Sequence, residues 1–197
     1  MLLYKYRSLD ELWYTLDIIL NNQLRCSKWD LLNDPLEGRF EIFANFDSDD
    51  TALVNKKRDE WRICALSKSI DSFLLWSHYA NGHKGIAIEV DIPESHNELV
   101  EVHYTPFTPL FTQVIDRDRD QRNLFEVKNE NWEYEKEYRI LCKDDFFQLP
   151  NKVTKIYLGP KVPLDQIAIL ESILPKTIEL VRMKLDQIQG NVVPIKA

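Results

Sequence analysis

Short apolar runs of strand length recur throughout the chain and constrain its fold more than any other feature. The clearest are RICALS at residues 62–67 and GIAIEV at residues 85–90, and comparable runs occupy residues 2–6, 100–104 and 153–158. Runs of this length that end at turn residues are typical of β-strands. Because helical patterns are fewer and do not alternate regularly with these runs, the sequence predicts an α+β fold with mixed, mainly antiparallel sheets flanked by helices around a cleft.

Composition places the chain among ordinary globular proteins and excludes several classes of function. Its 197 residues suffice for a single domain, residues 1–197, with a substantial core. A formal net charge of −7 argues against a surface devoted to the nucleic-acid backbone, although it leaves room for a local basic groove. No apolar stretch reaches the ~20 residues of a membrane span, and the first residues lack the apolar core of a secretion signal. We therefore expect no membrane partner and a cytoplasmic location.

The cysteine pattern supports the same location. Cys26, Cys64 and Cys142 are odd in number, far apart in sequence and without a C-x-x-C pair. This spacing argues against both a disulfide scaffold and a zinc finger. We interpret the three as isolated thiols of a reducing compartment, with Cys64 and Cys142 as small core residues.

Three further segments have recognisable local patterns. Ser8 and Glu11 form a capping-box pattern ahead of a helix over residues 9–20. The mixed acidic and basic segment 47–61 favours another helix. Residues 105–131 combine turn residues with alternating charges, which predicts a loop with a mobile helix that covers a site as a lid.

The segment WEYEKEYRILC, residues 132–142, is the most informative motif. Because side chains alternate along a strand, one long strand here would align four charged side chains on one face. These are Glu133, Glu135, Glu137 and Arg139. One interpretation is a solvated sheet face on which cations offset the repulsion between carboxylates. The other is the floor of a cleft, where a carboxylate stabilises positive charge that develops on a substrate.

Within the segment 67–85, Ser69 or Asp71 is expected to cap a helix that runs to about Ala80 and is apolar around most of its circumference. Trp76, His78 and Tyr79 lie near the C-terminal end of that helix. A buried polar group is costly there unless it is hydrogen-bonded or used, so His78 is either structural or part of a site. His78 and His83 lack the spacing of helical zinc ligands, and we expect no metal.

The N-terminal motif YKYRS, residues 4–8, is a candidate ligand-binding element. Tyr6 precedes Arg7 at a junction of strand and helix, where a guanidinium can bind a phosphate group. The alternative is that Arg7 pairs with a carboxylate such as Glu37 or Glu137.

A polar loop, SKWDLLNDPLEGR at residues 27–39, contains Ser27, Asn33 and Asp34. Asn and Asp before a proline are often turn residues, but such a loop also offers hydrogen bonds to a ribose or an amide. The chain has five glycines and no glycine-rich phosphate loop, nucleophile elbow or H-E-x-x-H motif. Nucleotide binding through a glycine fingerprint is therefore excluded.

Taken in order, several motifs resemble a bacterial and phage domain-of-unknown-function family of the DUF2971 type. They are YKYRS, WDLLNDPLEGRF, LLWSHYANGHKGIAIEVD, WEYEKEYRI and IYLGPKV, and together they span residues 3–185. The function of that family is unknown, so this resemblance implies no activity.

A weaker resemblance connects the same order of segments with ADP-ribosyltransferase-like proteins that modify DNA or RNA. Glu135-Lys136-Glu137 is similar to the E-x-E motif of such enzymes. The resemblance implies an ADP-ribosyltransferase-like fold, with Glu137 catalytic, Glu135 in acceptor recognition and Arg139 beside them. It also implies that NAD is consumed as a substrate.

This resemblance assigns roles to further residues of the polar segments. Arg7, next to Tyr6, would hold the pyrophosphate of NAD. The remaining candidates would contact ribose, carboxamide or nicotinamide, and they are Ser27, Asn33, Asp34, Trp76, His78 and Tyr79.

Three functional hypotheses follow. The first is an NAD-consuming ADP-ribosyltransferase, or an NAD glycohydrolase, that acts on an unidentified protein or nucleic-acid acceptor in phage–host conflict. The second is a non-enzymatic binding or regulatory module that uses the exposed aromatic residues Trp61, Phe107 and Phe111. The third is a metal-dependent nuclease or phosphodiesterase built on Asp34, Glu37, Glu135 and Glu137.

The first hypothesis makes a geometric prediction. Arg7, His78 and Glu137 should lie around the largest cavity, within about 10–12 Å of one another, a span suited to a small ligand.

Overall fold

The computed structural model describes residues 1–41, 47–106, 110–111 and 121–195. Within these residues the α-helices are α1 (Leu12–Leu20), α2 (Ser48–Asp59), α3 (Phe73–Tyr79) and α4 (Leu164–Ile173). Shorter 3₁₀ helices span Trp29–Leu31, Gln121–Phe125 and Glu130–Glu135. The strands are β1 (Leu2–Arg7), β2 (Gln23–Arg25), β3 (Phe40–Glu41), β4 (Arg62–Ser67), β5 (Ile86–Asp91), β6 (Leu99–Glu101), β7 (His103–Thr105), β8 (Leu110–Phe111), β9 (Val127–Asn129), β10 (Glu137–Cys142), β11 (Phe146–Gln148), β12 (Lys155–Leu158), β13 (Glu179–Asp186) and β14 (Asn191–Pro194).

Eight of the described strands form one sheet in the order β14-β13-β12-β5-β1-β4-β10-β6. Neighbouring strands run antiparallel except β12 and β13, which are parallel. The other described strands pair in twos, β2 with β11 antiparallel, and β3 with β8 and β7 with β9 parallel. The prediction of an α+β fold with a mixed, mainly antiparallel sheet flanked by helices is confirmed.

Helices pack on both faces of the sheet because the side chains of the central strands alternate. In β5, Ile86 and Ile88 enter a core that contains Ile18 of α1. Ala87, between them, enters a second core with Trp76 of α3. Every one of these side chains is almost completely buried. This arrangement places the start of α1 and the end of α3 close to the C-terminal end of β1.

Side-chain caps define the starts of two helices. Asp47 accepts hydrogen bonds from the backbone amides of Asp49 and Asp50 at the start of α2, which confirms the helix expected over residues 47–61. Ser72 accepts one from the amide of Leu75 at the start of α3. Such contacts satisfy amide groups that the first turn of a helix leaves unpaired.

The capping box expected before α1 is wrong. Ser8 instead accepts from the amide of Asp10 and donates to its carboxylate, while Glu11 reaches towards Arg7 at 3.5 Å. A nearby charged partner outweighs the local cap, and α1 begins only at Leu12.

The three cysteines are not isolated from one another. All are buried, free and in the same core, and the thiol of Cys26 is within hydrogen-bonding contact of those of Cys64 and Cys142. Sheet pairing explains this convergence, because Ser27 bridges to Ile63 and Ile140 pairs with Cys64. The assignment of Cys64 and Cys142 to the core is confirmed, and Cys26 lies in the same core.

The long strand expected over residues 132–142 is also wrong in its first half. β10 begins at Glu137, and the preceding residues form a 3₁₀ helix that ends at Glu135. Lys136 between them has a left-handed backbone with φ of 44°. Asn129 starts the 3₁₀ turn by accepting from the amide of Asn131, a local bond that competes with strand pairing.

The proposed lid falls largely outside the described residues. Of the segment 105–131, the structure does not describe residues 107–109 and 112–120. The described part of this segment includes β9 and the 3₁₀ helix at Gln121–Phe125.

Candidate functional site

A cavity of about 380 Å³ opens beside β1. β4 pairs with β1 in register only where Tyr4 faces Ser67, whereas Lys5–Arg7 pair with β5 alone. The cavity lies where β1 and β4 are no longer paired. There Lys5 Nζ donates a hydrogen bond to the carbonyl oxygen of Ala65 at 2.9 Å. Its walls come from β1, the loop after the 3₁₀ helix at Trp29–Leu31, α3, β9 and the start of β10.

One end of this cavity is an alternating series of buried acidic and basic side chains. Arg139 Nε donates to Glu137 Oε1 at 2.7 Å, and its two terminal nitrogens bind the two oxygens of Glu37 at 2.6 and 2.8 Å. Lys128 Nζ donates to Glu137 Oε2 at 2.8 Å and to Glu135 Oε2 at 2.5 Å. We call these five side chains the acidic network, since three carboxylates face two cations and one negative charge is in excess when all are ionised.

The three carboxylates of the acidic network differ in pKa. Burial alone would raise the pKa of Glu137, but Arg139 and Lys128 together lower it to about 2. Burial would likewise lower the pKa of Lys128, but Glu137 and Glu135 raise it to about 12. For Glu135 and Glu37 burial prevails over the neighbouring cations and raises the pKa. Glu137 is therefore the carboxylate most firmly ionised at neutral pH.

The loop after the 3₁₀ helix at Trp29–Leu31 delivers Glu37 to the network. Asp34 accepts from the amide of Leu36 at 2.9 Å and closes the turn around Pro35. Gly38 then adopts φ of +61°, and a Cβ there would meet Phe125 Cε1 at 2.7 Å. Only glycine fits this position without strain, so the turn and the glycine together bury Glu37 next to Arg139.

Glu135 is less occupied by protein donors than Glu137. Each carboxylate offers about four acceptor positions. Glu137 accepts from Arg139 twice and from Lys128 once. Glu135 accepts one bond from Lys128 and one from the hydroxyl of Tyr79, both at 2.5 Å. More of its acceptor capacity is thus left for a ligand.

Aromatic side chains form the rim beside Glu135. His78 Nδ1 lies 3.1 Å from the hydroxyl of Tyr134, and the ring of Tyr134 lies 6.1 Å from that of Trp132. His78 is exposed, while Tyr79 is half-buried below it. These rings offer flat apolar surfaces next to the acidic network.

The opposite end of the cavity is basic and poorly satisfied. Arg7 lies 3.5 Å from Glu11, its one ion pair in the described part of the chain. Its Nε is buried and has no hydrogen-bond partner there. A guanidinium with an unpaired N–H can bind an acceptor on a ligand, and the described residues supply none for this atom. We call Lys5 and Arg7 the basic end.

A second cavity of about 290 Å³ continues from the basic end. Lys5, Arg7, Glu11 and Leu31 line both cavities, while Ser27 lines the second alone. The two spaces therefore meet at the end of β1.

A larger cavity, of about 540 Å³, is lined by Glu137 but not by Arg7 or His78, so the expectation that the three surround the largest cavity is wrong. Eight of the predicted site residues, these three among them, line the cavity of about 380 Å³, which we call the main cavity. The eight are Tyr6, Arg7, Asn33, Asp34, His78, Tyr79, Glu135 and Glu137. The alternative that Arg7 pairs with a carboxylate is met by Glu11 at 3.5 Å, whereas the two carboxylates named for it, Glu37 and Glu137, are bound by Arg139.

Three predicted site residues lie elsewhere. Ser27 lines the second cavity. Trp76 is fully buried in the core and donates to the carbonyl of Ile70 at 2.7 Å, so its ring cannot stack on a ligand in the cavity. Arg139 is fully buried behind Glu137, where it binds carboxylates and the carbonyl of Phe125 and does not reach the cavity.

Sequence reasoning missed Lys128, which holds the two glutamates of the E-x-E motif together. The segment around it was assigned to a loop, and a lysine in a charged loop gives no sign of burial. One sign was available, since three glutamates so close in sequence require neighbouring cations if they are buried.

The structure also bears on the other hypotheses. Trp61, proposed as an exposed binding residue, is buried with Ile63, Phe125 and Leu141. Phe107 lies outside the described residues, and nothing is known of the side chain of Phe111.

The described residues contain no group of three or more His, Cys, Asp or Glu side chains arranged to hold a metal ion. Three of the acids named for a nuclease are instead bound by Lys128 and Arg139. Among the described helices, none has the length and apolar character needed to cross a membrane.

Comparison with known proteins identifies one family. No curated protein and no solved structure matches the chain. Residues 75–140, which run from α3 through the E-x-E motif to β10, match the family described as a protein of unknown function, DUF2971, and the resemblance to that family is thereby confirmed over this segment.

Proposed function

We propose that this protein cleaves the nicotinamide–ribose bond of NAD, as an ADP-ribosyltransferase or an NAD glycohydrolase. The observation that carries the proposal is the charge distribution of the main cavity, which has an excess negative charge at one end and two cations, with the Nε of Arg7 unpaired, at the other. Oxidised NAD has the complementary distribution, with a cationic nicotinamide ring and an anionic pyrophosphate. A small ligand placed along the cavity in this way satisfies both ends.

The reaction breaks the bond between ribose C1′ and the ring nitrogen of nicotinamide. The bonding electron pair leaves with nicotinamide and neutralises its ring, and positive charge develops on the ribose as in other glycosidic cleavages. The oxygen or nitrogen of a nucleophile then bonds to C1′ and loses its proton. Water yields ADP-ribose, and an acceptor side chain or base yields the ADP-ribosylated product.

The acidic network favours the charged transition state. Its excess negative charge is fixed by buried contacts before the substrate arrives, so little reorganisation is needed as positive charge develops. Glu135, with acceptor positions left open, would bind the ribose hydroxyls next to the reacting carbon. Glu137, bound by Arg139 and Lys128, would maintain the negative potential and orient Lys128. This division reverses the roles that the E-x-E resemblance implies for the two glutamates.

The remaining contacts follow from their places in the cavity. Arg7 would hold the pyrophosphate, since a guanidinium binds phosphate oxygens in pairs. Tyr79 and His78 would contact the nicotinamide side, and Asn33 and Asp34 the ribose or the carboxamide. An ADP-ribosyltransferase-like fold, a cytoplasmic location and a role in phage–host conflict belong to the same proposal.

Nicotinamide release from labelled NAD tests the proposal directly. Wild-type protein should release nicotinamide, alone or with protein, RNA or DNA as acceptor. Glu135→Gln keeps the shape of the side chain and should lower the rate 100-fold or more, the usual effect of removing one preorganised electrostatic group. Arg7→Ala should raise KM more than it lowers kcat.

Glu179→Gln is the matched control, because Glu179 is an exposed glutamate paired with Lys155 and lines neither cavity. It should leave the rate unchanged. Absence of nicotinamide release from wild type with every acceptor, or full activity of a folded Glu135→Gln variant, contradicts the proposal.

A further inference from the structure

We infer that the second cavity binds the adenylate half of the dinucleotide, with its phosphates held between the guanidinium groups of Arg7 and Arg25. The inference rests on the proposed function for the identity of the dinucleotide. The binding of a nucleoside diphosphate at this place can nevertheless be measured separately.

Two guanidinium groups converge on one aromatic ring beside the second cavity. Arg7 and Arg25 each lie with Cζ 5.3 Å from the centre of the ring of Tyr14. α1 supplies Tyr14, β1 supplies Arg7 and β2 supplies Arg25, so three separate elements build the arrangement. Contact with the ring limits the positions of both guanidinium groups while leaving their N–H donors available.

Few side-chain donors of the two arginines have acceptors among the described residues. Arg25 makes no side-chain hydrogen bond or ion pair within the described residues, and Arg7 has an unpaired buried Nε and a carboxylate at 3.5 Å. Two like charges on one ring repel each other, and an anion between them removes that repulsion. Phosphate matches the paired donors of a guanidinium group.

The nearest acids do not fill this role. Asp17 lines the second cavity, but it accepts from the side chains of Asn21 at 2.6 Å and Gln23 at 3.2 Å. Glu11 is exposed and stands at the boundary with the main cavity. Among the described residues that line the second cavity, the buried polar atom without a partner is the Nε of Arg7.

Size and continuity favour a ligand made of two linked nucleotides. The cavities, of about 380 and 290 Å³, each lie near the lower end of the ~300–1,000 Å³ range of ligand pockets. They meet at Arg7, where the central pyrophosphate of a dinucleotide would lie. Ile18, Leu24 and Ile63 give the second cavity an apolar wall for a purine, and Ser27 offers a hydroxyl to its ribose.

Calorimetry with ADP and with nicotinamide mononucleotide tests the subsite. Wild type should bind ADP, and Arg25→Ala should weaken ADP binding about tenfold or more, because a hydrogen-bonded charge pair is lost. Nicotinamide mononucleotide, whose single phosphate needs only Arg7, should bind both proteins equally. Arg182→Ala is the control, since Arg182 is an exposed arginine that lines neither cavity.

Each outcome separates the subsite from the proposed reaction. Loss of ADP affinity in Arg25→Ala supports the subsite even if wild type releases no nicotinamide, and that combination contradicts only the proposed reaction. No ADP binding by wild type at millimolar concentration, or equal ADP affinity in Arg25→Ala and wild type, overturns the subsite. Because Arg25 is exposed, its replacement should not disturb folding, and circular dichroism of the variant checks this.

Discussion

The two ends of the main cavity differ in how their charges are satisfied. In the acidic network every charged group has a buried partner of opposite sign, and Arg139 is completely excluded from solvent. Among the described residues, Arg7 at the basic end has one carboxylate at 3.5 Å and an unpaired Nε, and Arg25 nearby contacts the ring of Tyr14 without an ion pair. Folding alone accounts for the contacts of the first region. Under the proposed function, a bound ligand supplies the missing partners of the second.

The contrast separates stability from binding. Buried ion pairs are costly to break because the remaining charge stays buried, so the acidic network should dominate stability. Unsatisfied cations contribute little to folding but bind anions, so the basic end should dominate affinity. Four measurements test this division.

Replacement of Lys128 should have the largest effect. Lys128→Met removes the cation that lies between Glu135 and Glu137 and leaves Glu135 without an ionic partner among the described residues, so it should lower the free energy of unfolding by about 3–5 kcal/mol. Urea denaturation measures the change. Lys155→Met, which removes a partly exposed pair with Glu179 at 3.2 Å, should cost less than about 1 kcal/mol. Equal losses in the two variants contradict the central role of the network.

Acid should lower the free energy of unfolding by protonating Glu137. Its pKa is about 2 in the folded chain against 4.5 for the free group, so its stabilisation is complete above pH 4.5 and is lost as the pH falls towards 2. The total corresponds to on the order of 3 kcal/mol. Glu37 and Glu135, whose pKa values are raised, bind protons at higher pH and stabilise the folded state there as the pH falls.

Comparison with a variant isolates the contribution of Glu137. The free energy of unfolding of Glu137→Gln should change less across this acidic interval than that of wild type. If the free energy of unfolding depends on pH in the same way in both proteins, Glu137 does not have the lowered pKa that its ion pairs require.

Removal of the Tyr79 hydroxyl should have an intermediate effect. Tyr79→Phe loses the hydrogen bond to Glu135 and should lower the free energy of unfolding by about 1–2 kcal/mol. If Glu135 contacts substrate, the same variant should lower kcat for nicotinamide release more than it changes KM. Denaturation and steady-state kinetics measure the two effects, and unchanged values in both would place the hydroxyl outside the working site.

Replacement of Arg7 should change stability least. Arg7→Met removes a poorly paired cation and should shift the free energy of unfolding by no more than about 0.5 kcal/mol in either direction. Urea denaturation beside Lys128→Met gives a matched comparison, since both variants replace a cation by the same apolar residue. A loss at Arg7 as large as that at Lys128 would show that the two ends are equivalent and would end the distinction between them.

Much of the fold could be predicted because it depends on local pattern. The runs at 62–67 and 85–90 are strands in the structure, and Asp47 caps the helix that follows it. Several cavity residues were also found, since polar residues such as Asn33 and Asp34 stand out beside apolar segments. Such features depend on neighbours in sequence and persist in any compact fold of this chain.

The errors arose where distant residues compete with local pattern. Alternation predicted that residues 132–142 form one strand, yet Lys128 draws Glu135 and Glu137 together across the left-handed Lys136. The apolar helix at residues 69–80 gave no indication of which side faces the core, and Trp76 is inside the core while His78 is on the rim. Contacts between separate segments decided each case.

By itself the sequence determined the kinds of element, their order and the supply of charged and aromatic groups, because these follow from side-chain period and turn chemistry. Only the tertiary structure decided which charges are paired. Attraction between buried charges depends on distance and solvent exclusion, and these are set by strand order and by the loop that carries Glu37. That is why Arg139 is buried between two carboxylates, whereas Arg7, equally prominent in the sequence, is left open beside a cavity.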